Sequence, residues 1–282
     1  IDSFLTAIAL AVSAVPEGLP AVVTVTLALG ARELARRNAI IRKLSSAETL
    51  GGVTVICSDK TGTLTKGEMT VRKIYVDGKI VQVTGVGYEA QGEFSLGNAR
   101  VDAREMAELG LLLRGATLCT NASYDGKNVL GDTTEGALIV AAAKAGFAKG
   151  DLEKECPRIH EVPFTSERKM MTTVHKTSEG QLLAFAKGAP EVVLDHCTSI
   201  LNNQRKKRLG TKERDAILKV NEDMAKGALR VLGVAYKEMD KNAASFLDKG
   251  ADERLESDLT FVGLAGMIDP PREEAKTANQ LC

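Results

Sequence analysis

The apolar residues are unevenly distributed, and the longest apolar stretch lies at the start of the chain. Between residues 1 and 30, the ionisable side chains are Asp2 and Glu17. At about 1.5 Å of rise per residue, this stretch is long enough to cross a bilayer as a helix. Basic residues crowd positions 32–43, so the positive-inside rule predicts that the chain after about residue 32 is cytoplasmic. The alternative is a long buried helix of a soluble protein.

Beyond this stretch, shorter apolar runs predict an α/β fold. The run Gly51–Cys57 is rich in β-branched residues and predicts a buried parallel strand. From about 71 to 258, strand-like and helix-like segments mix and indicate one inserted α+β domain. Within it, "TTEGALIVAAAKAG" predicts a helix, and "LLAFAKGAPEVVLDHC" predicts a strand, a turn and a helix with Pro190 near its start. The later segment "LTFVGLAGMIDPP" predicts a further strand.

Composition excludes several classes of function. The formal net charge is zero, so a nucleic-acid partner is not predicted, and the basic run 205–208 is interpreted as a solvated loop. The five cysteines are scattered without a C-x-x-C pair, which favours a reducing compartment and argues against structural zinc. No G-x-x-x-x-G-K-[ST] loop is present, and "GVGYEA" from Gly85 continues without a helix, so it is read as a turn.

The stretch "AVSAVPEGLPAVV" places an acid between two prolines inside the first apolar segment. Each proline removes a backbone donor, so nearby carbonyls lose their helical partners. Within a membrane such carbonyls need a cavity or a cation, and a buried carboxylate needs a function or a partner. The alternative is a simple kink with a protonated glutamate. The hypothesis favoured is a site for a cation such as Ca²⁺, with oxygen ligands from Val12, Ser13, Val15 and Glu17.

The segment "ICSDKTGTLT" places Asp59 directly after the predicted strand. Open α/β sheets hold their ligands at the carboxyl ends of strands. Thr61, Gly62 and Thr63 can offer backbone N–H groups and hydroxyls to a phosphate. A carboxylate held there can attack a phosphoryl group and form an aspartyl phosphate, a transfer that normally requires Mg²⁺. The alternative is an Asp-initiated turn followed by a threonine-rich loop.

Three sequence motifs resemble those of P-type ion-transporting ATPases. "DKTGTLT" resembles the phosphorylation motif of the family, and "PEGLP" resembles the unwound fourth membrane helix of its calcium-pump-like branch; "NAIIRKLSSAETLG" is similar to the connecting stalk. The resemblance implies a phosphorylation (P) domain of the haloacid-dehalogenase type. Its catalytic set would be Asp59, Lys60, Thr61 and Thr63, with Asp59 as nucleophile and Asp59 and Thr61 at Mg²⁺. Related phosphatases carry an aspartate where Thr61 stands.

The inserted segment resembles the nucleotide-binding (N) domain of the same family. "PFTSERKMM" resembles the adenine-site motif, with Phe164 stacking on the base and Lys169 near it; Ser166 departs from an arginine of calcium-pump relatives. "FAKGAPE" would place Lys187 and Gly188 at the nucleotide. "GDTTEGAL" implies that Glu135 meets the adenine amino group, and Arg230 in "ALRVLGVAY" matches a phosphate-contacting arginine. Taken singly, each residue also has an ordinary structural interpretation.

The resemblance implies a domain organisation and a role. We expect a transmembrane helix with the PEGLP break (1–31), stalk and first part of the P domain (32–70), N domain (71–258) and re-entry into the P domain (259–282). The chain would be about the middle third of an integral-membrane pump that hydrolyses ATP and transports a cation, most simply Ca²⁺. Its partners would be ATP, Mg²⁺, the cation, the lipid bilayer and the remaining segments of the pump. The alternatives are an ATP-binding module only, a pump for Na⁺, Mn²⁺ or H⁺, and a capped phosphatase.

Overall fold

The computed structural model describes residues 2–13, 18–239 and 252–282. The chain divides into two compact units, Ile1–Ser58 and Asp59–Cys282. The first unit is helical and consists of α1 (Asp2–Ser13), α2 (Leu19–Arg36) and α3 (Leu44–Gly51). Helix α2 begins with Pro20 in its first turn, where the missing N–H is not needed. None of the helices in the described ranges combines the length and the apolar character required to cross a membrane.

The strand predicted at Gly51–Cys57 is absent from this structure. Helix α3 ends at Gly51, and the residues after it have no regular hydrogen-bonded structure. Val55 and Ile56 are 75% and 66% exposed. A buried parallel strand needs a neighbouring strand on each side to satisfy its backbone, and no strand of the described residues pairs with this run. The prediction is therefore wrong for this structure.

The second unit contains thirteen strands and seven α-helices in its described part. The strands are β1 (Thr70–Val76), β2 (Lys79–Val83), β3 (Phe94–Leu96), β4 (Ala99–Val101), β5 (Ser123–Tyr124), β6 (Val129–Leu130), β7 (Arg158–Val162), β8 (Met170–Lys176), β9 (Leu182–Gly188), β10 (Cys197–Asn202), β11 (Arg205–Arg208), β12 (Arg230–Met239) and β13 (Leu259–Ile268). The helices are α4 (Ala107–Leu118), α5 (Thr133–Lys144), α6 (Lys149–Glu155), α7 (Pro190–Asp195), α8 (Thr211–Lys226), α9 (Asp252–Leu255) and α10 (Glu273–Leu281).

Most of these strands form one mixed sheet. Its order is β4-β3-β2-β1-β13-β12-β9-β8-β7, and β13 also pairs in parallel with β10, which carries β11 at its far edge. Strand β13 is central, so Leu259–Ile268 lies in the sheet of the inserted domain although its sequence resembles the re-entry into another domain. Nine of its ten residues are buried, as expected for a strand covered on both faces.

Helices cover both faces of this sheet. On one face, Leu109, Leu112 and Leu113 of α4 and Leu138 of α5 belong to the larger apolar core. On the other face, α7 and α8 contribute Val193, Leu194 and Ile217 to a second core around Phe261. A sheet with an apolar surface on each side needs such a layer on each side to bury it.

Several predicted elements are confirmed and one is corrected. The predicted helix at "TTEGALIVAAAKAG" is α5, the strand–turn–helix around Pro190 is β9 and α7, and "GVGYEA" is a loop with Gly85 at φ +84°. The basic run Arg205–Arg208, predicted to be a loop, is strand β11, exposed at every position. Charged residues are common on edge strands because they discourage pairing with another chain. Since all four residues of this run are basic, it lacks the apolar positions from which a strand is predicted.

Candidate functional site

The candidate site is a cleft of about 430 Å³ in the second unit. It lies where the ends of β7, β9 and β12 meet the start of α5 and the loop that follows α4. Of the residues predicted to bind a nucleotide, all but Lys169 line this cleft. The lining residues are Asn121, Ala122, Gly131, Asp132, Thr134, Glu135, Glu161, Pro163, Phe164, Met171, Lys187, Gly188, Arg230 and Leu232.

Lys187 is the buried cation of the cleft. It is next to last in β9, and its Nζ donates a 2.6 Å hydrogen bond to Glu135 Oε1. The Lys187 side chain is 7% exposed and that of Glu135 is 15% exposed. Ions this far from water are tolerated when they are paired and hydrogen-bonded. The cleft therefore holds a fixed ammonium group in a largely apolar wall that includes Met171 and Leu232.

Glu135 is held by the main chain as well as by Lys187. Its Oε2 accepts hydrogen bonds from the backbone N–H of Asn121 at 2.7 Å and of Ala122 at 2.9 Å. Asp132 caps α5 by accepting from the N–H groups of Thr134 and Glu135. Burial alone would raise the pKa of Glu135, but the Lys187 ammonium and these N–H groups outweigh it and hold the pKa below its usual value. Glu135 is therefore an anion that connects α5 to β9 and to the loop after α4.

The remaining walls differ in their contacts. Phe164 follows β7, lines the cleft and is 56% exposed, so its side chain is accessible to a ligand. Arg230 is the first residue of β12 and is exposed, and its side chain makes no hydrogen bond or ion pair with the residues that the structure describes. An open aromatic ring and an available guanidinium across one cleft suit a ligand with a planar base and an anionic group.

Lys169 lies beside the cleft without lining it. It ends the turn that begins at Thr165 and has a left-handed backbone with φ +53°. Its N–H donates to Thr165 O at 2.8 Å and its carbonyl accepts from Ala189 N at 2.9 Å. The contribution of Lys169 in this structure is therefore a backbone connection between the Phe164 turn and the end of β9.

A polar network centred on Arg158 lies below the cleft, and the sequence does not predict it. The Arg158 guanidinium donates to the carbonyls of Leu118 and Thr120, to Asn121 Oδ1 and to Glu161 Oε2. The Asn121 amide in turn donates to Glu161 Oε1 at 2.8 Å. These contacts hold the carbonyl end of α4 and shape the rim where Asn121 and Glu161 face the cleft. Because Asn121 and Arg158 lie far apart in sequence, no local motif indicates the network.

The Asp59 segment lies outside this cleft. Asp59 is exposed and precedes a turn over Lys60–Leu64, in which Gly62 has φ +77°. Lys60, Thr61 and Thr63 are also exposed. Behind the turn, Thr65 Oγ1 accepts from Gly62 N and donates to Asp269 Oδ2 at 2.6 Å.

The turn and the chain that follows it are connected to the chain after β13. Asp269 Oδ1 also accepts from the N–H groups of Gly67 and Glu68, and Arg272 donates to the carbonyls of Gly62 and Thr65. A β-bridge joins Thr65 to Pro271. The loop that carries Asp59 and the chain that follows β13 are therefore connected by hydrogen bonds of two charged side chains, Asp269 and Arg272.

Two of the four predicted cation ligands, Val12 and Ser13, lie at the end of α1. Val12 and Ser13 are exposed residues of that helix, and Ser13 Oγ donates to Leu10 O at 3.0 Å. Val15 and Glu17 lie outside the described residues. Within the described ranges, no three His, Cys, Asp or Glu side chains come together as a metal site.

Comparison with known proteins identifies the class to which this fold and cleft belong. The family "P-type ATPase, cytoplasmic domain N" matches residues 102–274, and the chain belongs to it. The chain is 43% identical to "Cation-transporting ATPase pma1" of Synechocystis over 100% of its own length and 31% of that protein. It is 40% identical to "Calcium-transporting ATPase" of Bacillus subtilis (99% and 31%) and 39% identical to human "Calcium-transporting ATPase type 2C member 1" (99% and 29%). The chain thus spans about three tenths of these relatives.

Proposed function

We propose that this chain forms the nucleotide-binding and phosphorylation-site region of a P-type ATPase that transports a cation, with Ca²⁺ as the cation. The observation that carries the proposal is the cleft itself. Glu135, Phe164, Lys187, Gly188 and Arg230 come from four separate sequence motifs and line one cavity. The names of the relatives from Bacillus subtilis and human, which are calcium-transporting ATPases, support the choice of ion.

In this proposal ATP occupies the cleft. The adenine ring stacks on Phe164, since an open aromatic face binds a planar base without needing hydrogen bonds. Arg230 supplies positive charge to the phosphates, and Gly188 allows the backbone to approach the ligand. Lys187 and its partner Glu135 lie beside the nucleotide, where Glu135 would meet the adenine amino group. An inserted Cβ at Gly188 would lie 2.3 Å from Lys169 O, so a larger residue there would also disturb the turn that carries Phe164.

Asp59 is proposed as the group that receives the phosphoryl group. One of its carboxylate oxygens attacks the γ-phosphorus, the bond from that phosphorus to the β–γ bridging oxygen breaks, and ADP leaves. The oxygens of Asp59 and Thr61 fit Mg²⁺, which takes one or two protein ligands and completes its shell with phosphate and water. Bound there, Mg²⁺ would neutralise phosphate charge. Thr61 has no titratable group, so the proposed aspartyl phosphate would hydrolyse slowly.

The transport part of the proposal concerns the beginning of the chain. Residues 1–31 would cross the membrane, and carbonyls near Val12, Ser13 and Val15 together with Glu17 would bind the cation. Residues 32–70 and the chain that follows β13 would join a phosphorylation domain of the haloacid-dehalogenase type on the cytoplasmic side, while β13 itself belongs to the sheet of the inserted domain. The bilayer and the other segments of the pump would be the partners of this chain.

The decisive experiment is acid-quenched phosphorylation by labelled ATP in the complete pump that carries this sequence, with and without micromolar Ca²⁺. Hydroxylamine-labile label that requires Ca²⁺ and disappears in Asp59→Asn is the expected result. Label that requires another cation would replace Ca²⁺ in the proposal. Label that requires no cation would favour a capped phosphatase, and its complete absence would contradict Asp59 as the acceptor.

ATP titration of the 282-residue chain by calorimetry tests the cleft separately. Saturable binding that is lost in Phe164→Ala is the expected result. Binding without phosphorylation of the complete pump would leave an ATP-binding module, and binding unaffected by Phe164→Ala would contradict the assignment of the cleft.

A further inference from the structure

The turn that carries Phe164 is anchored by Arg168 rather than by packing of the ring. Arg168 Nη1 donates to Pro163 O at 2.9 Å, and this carbonyl belongs to the peptide immediately before Phe164. The Arg168 N–H donates to Thr165 Oγ1 at 3.2 Å, on the other side of Phe164. Since more than half of the Phe164 side chain is exposed, these hydrogen bonds limit how far its backbone can move.

Arg168 is in turn held by Glu256, which lies outside the cleft. The second guanidinium nitrogen, Nη2, donates to Glu256 Oε1, and the same oxygen accepts from Thr172 Oγ1 at 2.7 Å. Glu256 is 5% exposed, so the pair is shielded from solvent on the carboxylate side. A charge-assisted contact in such surroundings is stronger and more directional than one at the surface.

The backbone around Glu256 is itself fixed to the sheet. His196 Nδ1 lies 2.8 Å from Glu256 O, and Lys237 Nζ donates to the carbonyls of Arg254 and Ser257 at 2.9 and 2.8 Å. Strand β13 begins shortly afterwards, at Leu259. Glu256 is therefore a rigid point that connects β12 and β13 to the Arg168 guanidinium.

We propose that Glu256 is a positioning residue for nucleotide binding, which acts through Arg168 to hold the Phe164 ring in place for stacking on a purine base. This inference rests on the proposed function, because it assigns the base-binding role to Phe164. A flexible ring would have to be ordered when the ligand binds, and that ordering would weaken affinity. Through Arg168, Glu256 would affect the affinity for the base although it does not touch the ligand.

A tryptophan reporter can test this connection directly. The chain contains no tryptophan, so Phe164→Trp introduces a single emitter at the proposed platform. In this background, Glu256→Gln removes the charge that holds Arg168 with little change in volume. We expect the fluorescence anisotropy of the introduced indole without ligand to fall, and the Kd for ATP to rise about tenfold, which corresponds to losing one charged hydrogen bond. The Kd for tripolyphosphate should stay unchanged, because Arg230, the proposed phosphate-binding residue, is untouched.

A matched control is Asp195→Asn, which breaks an Arg–carboxylate contact with Arg214 at 2.5 Å away from the cleft. It should change neither anisotropy nor the Kd for ATP. If Glu256→Gln does not fold, Arg168→Lys takes its place, since lysine keeps the charge but cannot reach Pro163 O and Glu256 with a planar fork. Its far-ultraviolet circular dichroism and cooperative unfolding would establish that it is folded.

The outcomes separate this inference from the proposed function. Unchanged anisotropy and unchanged Kd for ATP in a folded variant would overturn the positioning role of Glu256. An equal loss of ATP and tripolyphosphate affinity would also overturn it, because the effect would then be a general loss of the cleft. Failure of the unmodified chain to bind ATP would overturn the proposed function, while the anisotropy comparison would still report whether Glu256 holds the turn.

Discussion

Lys187 and Glu135 form a buried ion pair, with Nζ 2.6 Å from Oε1, in which the carboxylate is also bound by two backbone N–H groups. The cation that would meet a ligand is therefore part of the fold as well as of the cleft. A loss of binding in a Lys187 variant has two possible origins, a missing ligand contact or a disturbed cleft. Stability measurements separate the two.

Removal of Lys187 should cost more stability than removal of a surface cation. Lys187→Met leaves the Glu135 carboxylate buried without its counter-ion, and we expect a loss of about 3 kcal/mol in the free energy of unfolding. Glu135→Gln should cost a similar amount, and the double variant less than the sum, because the partners share one interaction. Urea unfolding followed by circular dichroism measures all three.

Lys226→Met is the matched control for this cycle. Its ammonium contacts Glu222 at 2.9 Å, but both side chains are about two thirds exposed. Such an exposed pair contributes little to stability, because water and salt screen it. Additive losses of unfolding free energy in Lys187→Met and Glu135→Gln would contradict the coupling between these two residues. A loss in Lys187→Met no larger than that in Lys226→Met would contradict a contribution of the buried pair to stability.

Sequence patterns predict the long elements of the second unit because their signals are local. Helix α5 has a capping aspartate at its start and an apolar interior, and β9 leads through a turn into Pro190. Strand β11 reads as a loop because its four basic residues have the composition of a solvated segment, while its pairing with β10 depends on residues outside the run. The strand predicted at Gly51–Cys57 fails for the converse reason, since an apolar run does not show whether neighbours are present to cover it.

The candidate site shows the same limit. The predicted cleft residues Glu135, Phe164, Lys187 and Arg230 stand in recognisable motifs, and the structure brings them together. The residues that hold these side chains in place do not lie in recognisable motifs. Arg158 meets Asn121 across 37 positions of sequence, and Arg168 meets Glu256 across 88. Contacts of this kind depend on the order of strands in the sheet, which one sequence does not reveal.

Arg158 should be required for the shape of the cleft although it does not line it. Arg158→Met would remove the donors to Leu118 O, Glu161 Oε2 and Asn121 Oδ1. Thr120 O would keep its second donor, Lys149 Nζ, but Asn121 would be held less firmly at the rim of the cleft. We expect the Kd for ATP to rise about tenfold and the free energy of unfolding to fall by about 2 kcal/mol. Calorimetric titration and urea unfolding measure the two effects.

Arg114→Met provides the comparison, because Arg114 also belongs to the α4 region but contacts Glu155 at the surface, at 3.0 Å. It should leave ATP binding unchanged. If Arg114→Met and Arg158→Met weakened ATP binding equally, the effect would be one of general charge and not of the Arg158 network.

His175 should make the second unit less stable in mild acid. Burial lowers the pKa of His175 from 6.5 to about 4, and its ring nitrogens contact Cys156 O and Thr173 Oγ1. Between these two values the unfolded chain binds a proton that the folded chain does not, so stability should fall as the pH drops from about 6.5 to 4. The full effect is on the order of 3 kcal/mol.

Calorimetric unfolding at pH 7 and pH 4.5 tests this in the wild type and in His175→Gln. The glutamine variant should be less stable at pH 7 but should lose less stability on acidification. Thr117→Val changes a buried side chain that does not titrate, so it should keep the full pH dependence of the wild type. An identical pH dependence in His175→Gln and the wild type would contradict the assignment.

Asp269 should control the backbone next to the Asp59 loop. Its Oδ1 accepts from the N–H groups of Gly67 and Glu68, at 2.9 and 3.2 Å, and its Oδ2 accepts from Thr65 Oγ1. Asp269→Ala removes all three acceptor contacts, so the amides of Gly67 and Glu68 should exchange with solvent about tenfold faster, as expected for the loss of a charged hydrogen bond. Hydrogen exchange read by mass spectrometry on short peptides measures this.

Thr65→Val separates the two arms of that contact. It removes the hydroxyl donor to Asp269 Oδ2 and the acceptor for Gly62 N, but leaves Oδ1 available to Gly67 and Glu68. Exchange should therefore accelerate at Gly62 and change little at Gly67, whereas Thr65→Ser should restore the wild-type pattern. Equal acceleration at Gly62 and Gly67 in Thr65→Val would mean that the loop and the chain after β13 open as one unit. In that case the contacts of Asp269 with the Gly67 and Glu68 amides would have no effect independent of its contact with Thr65.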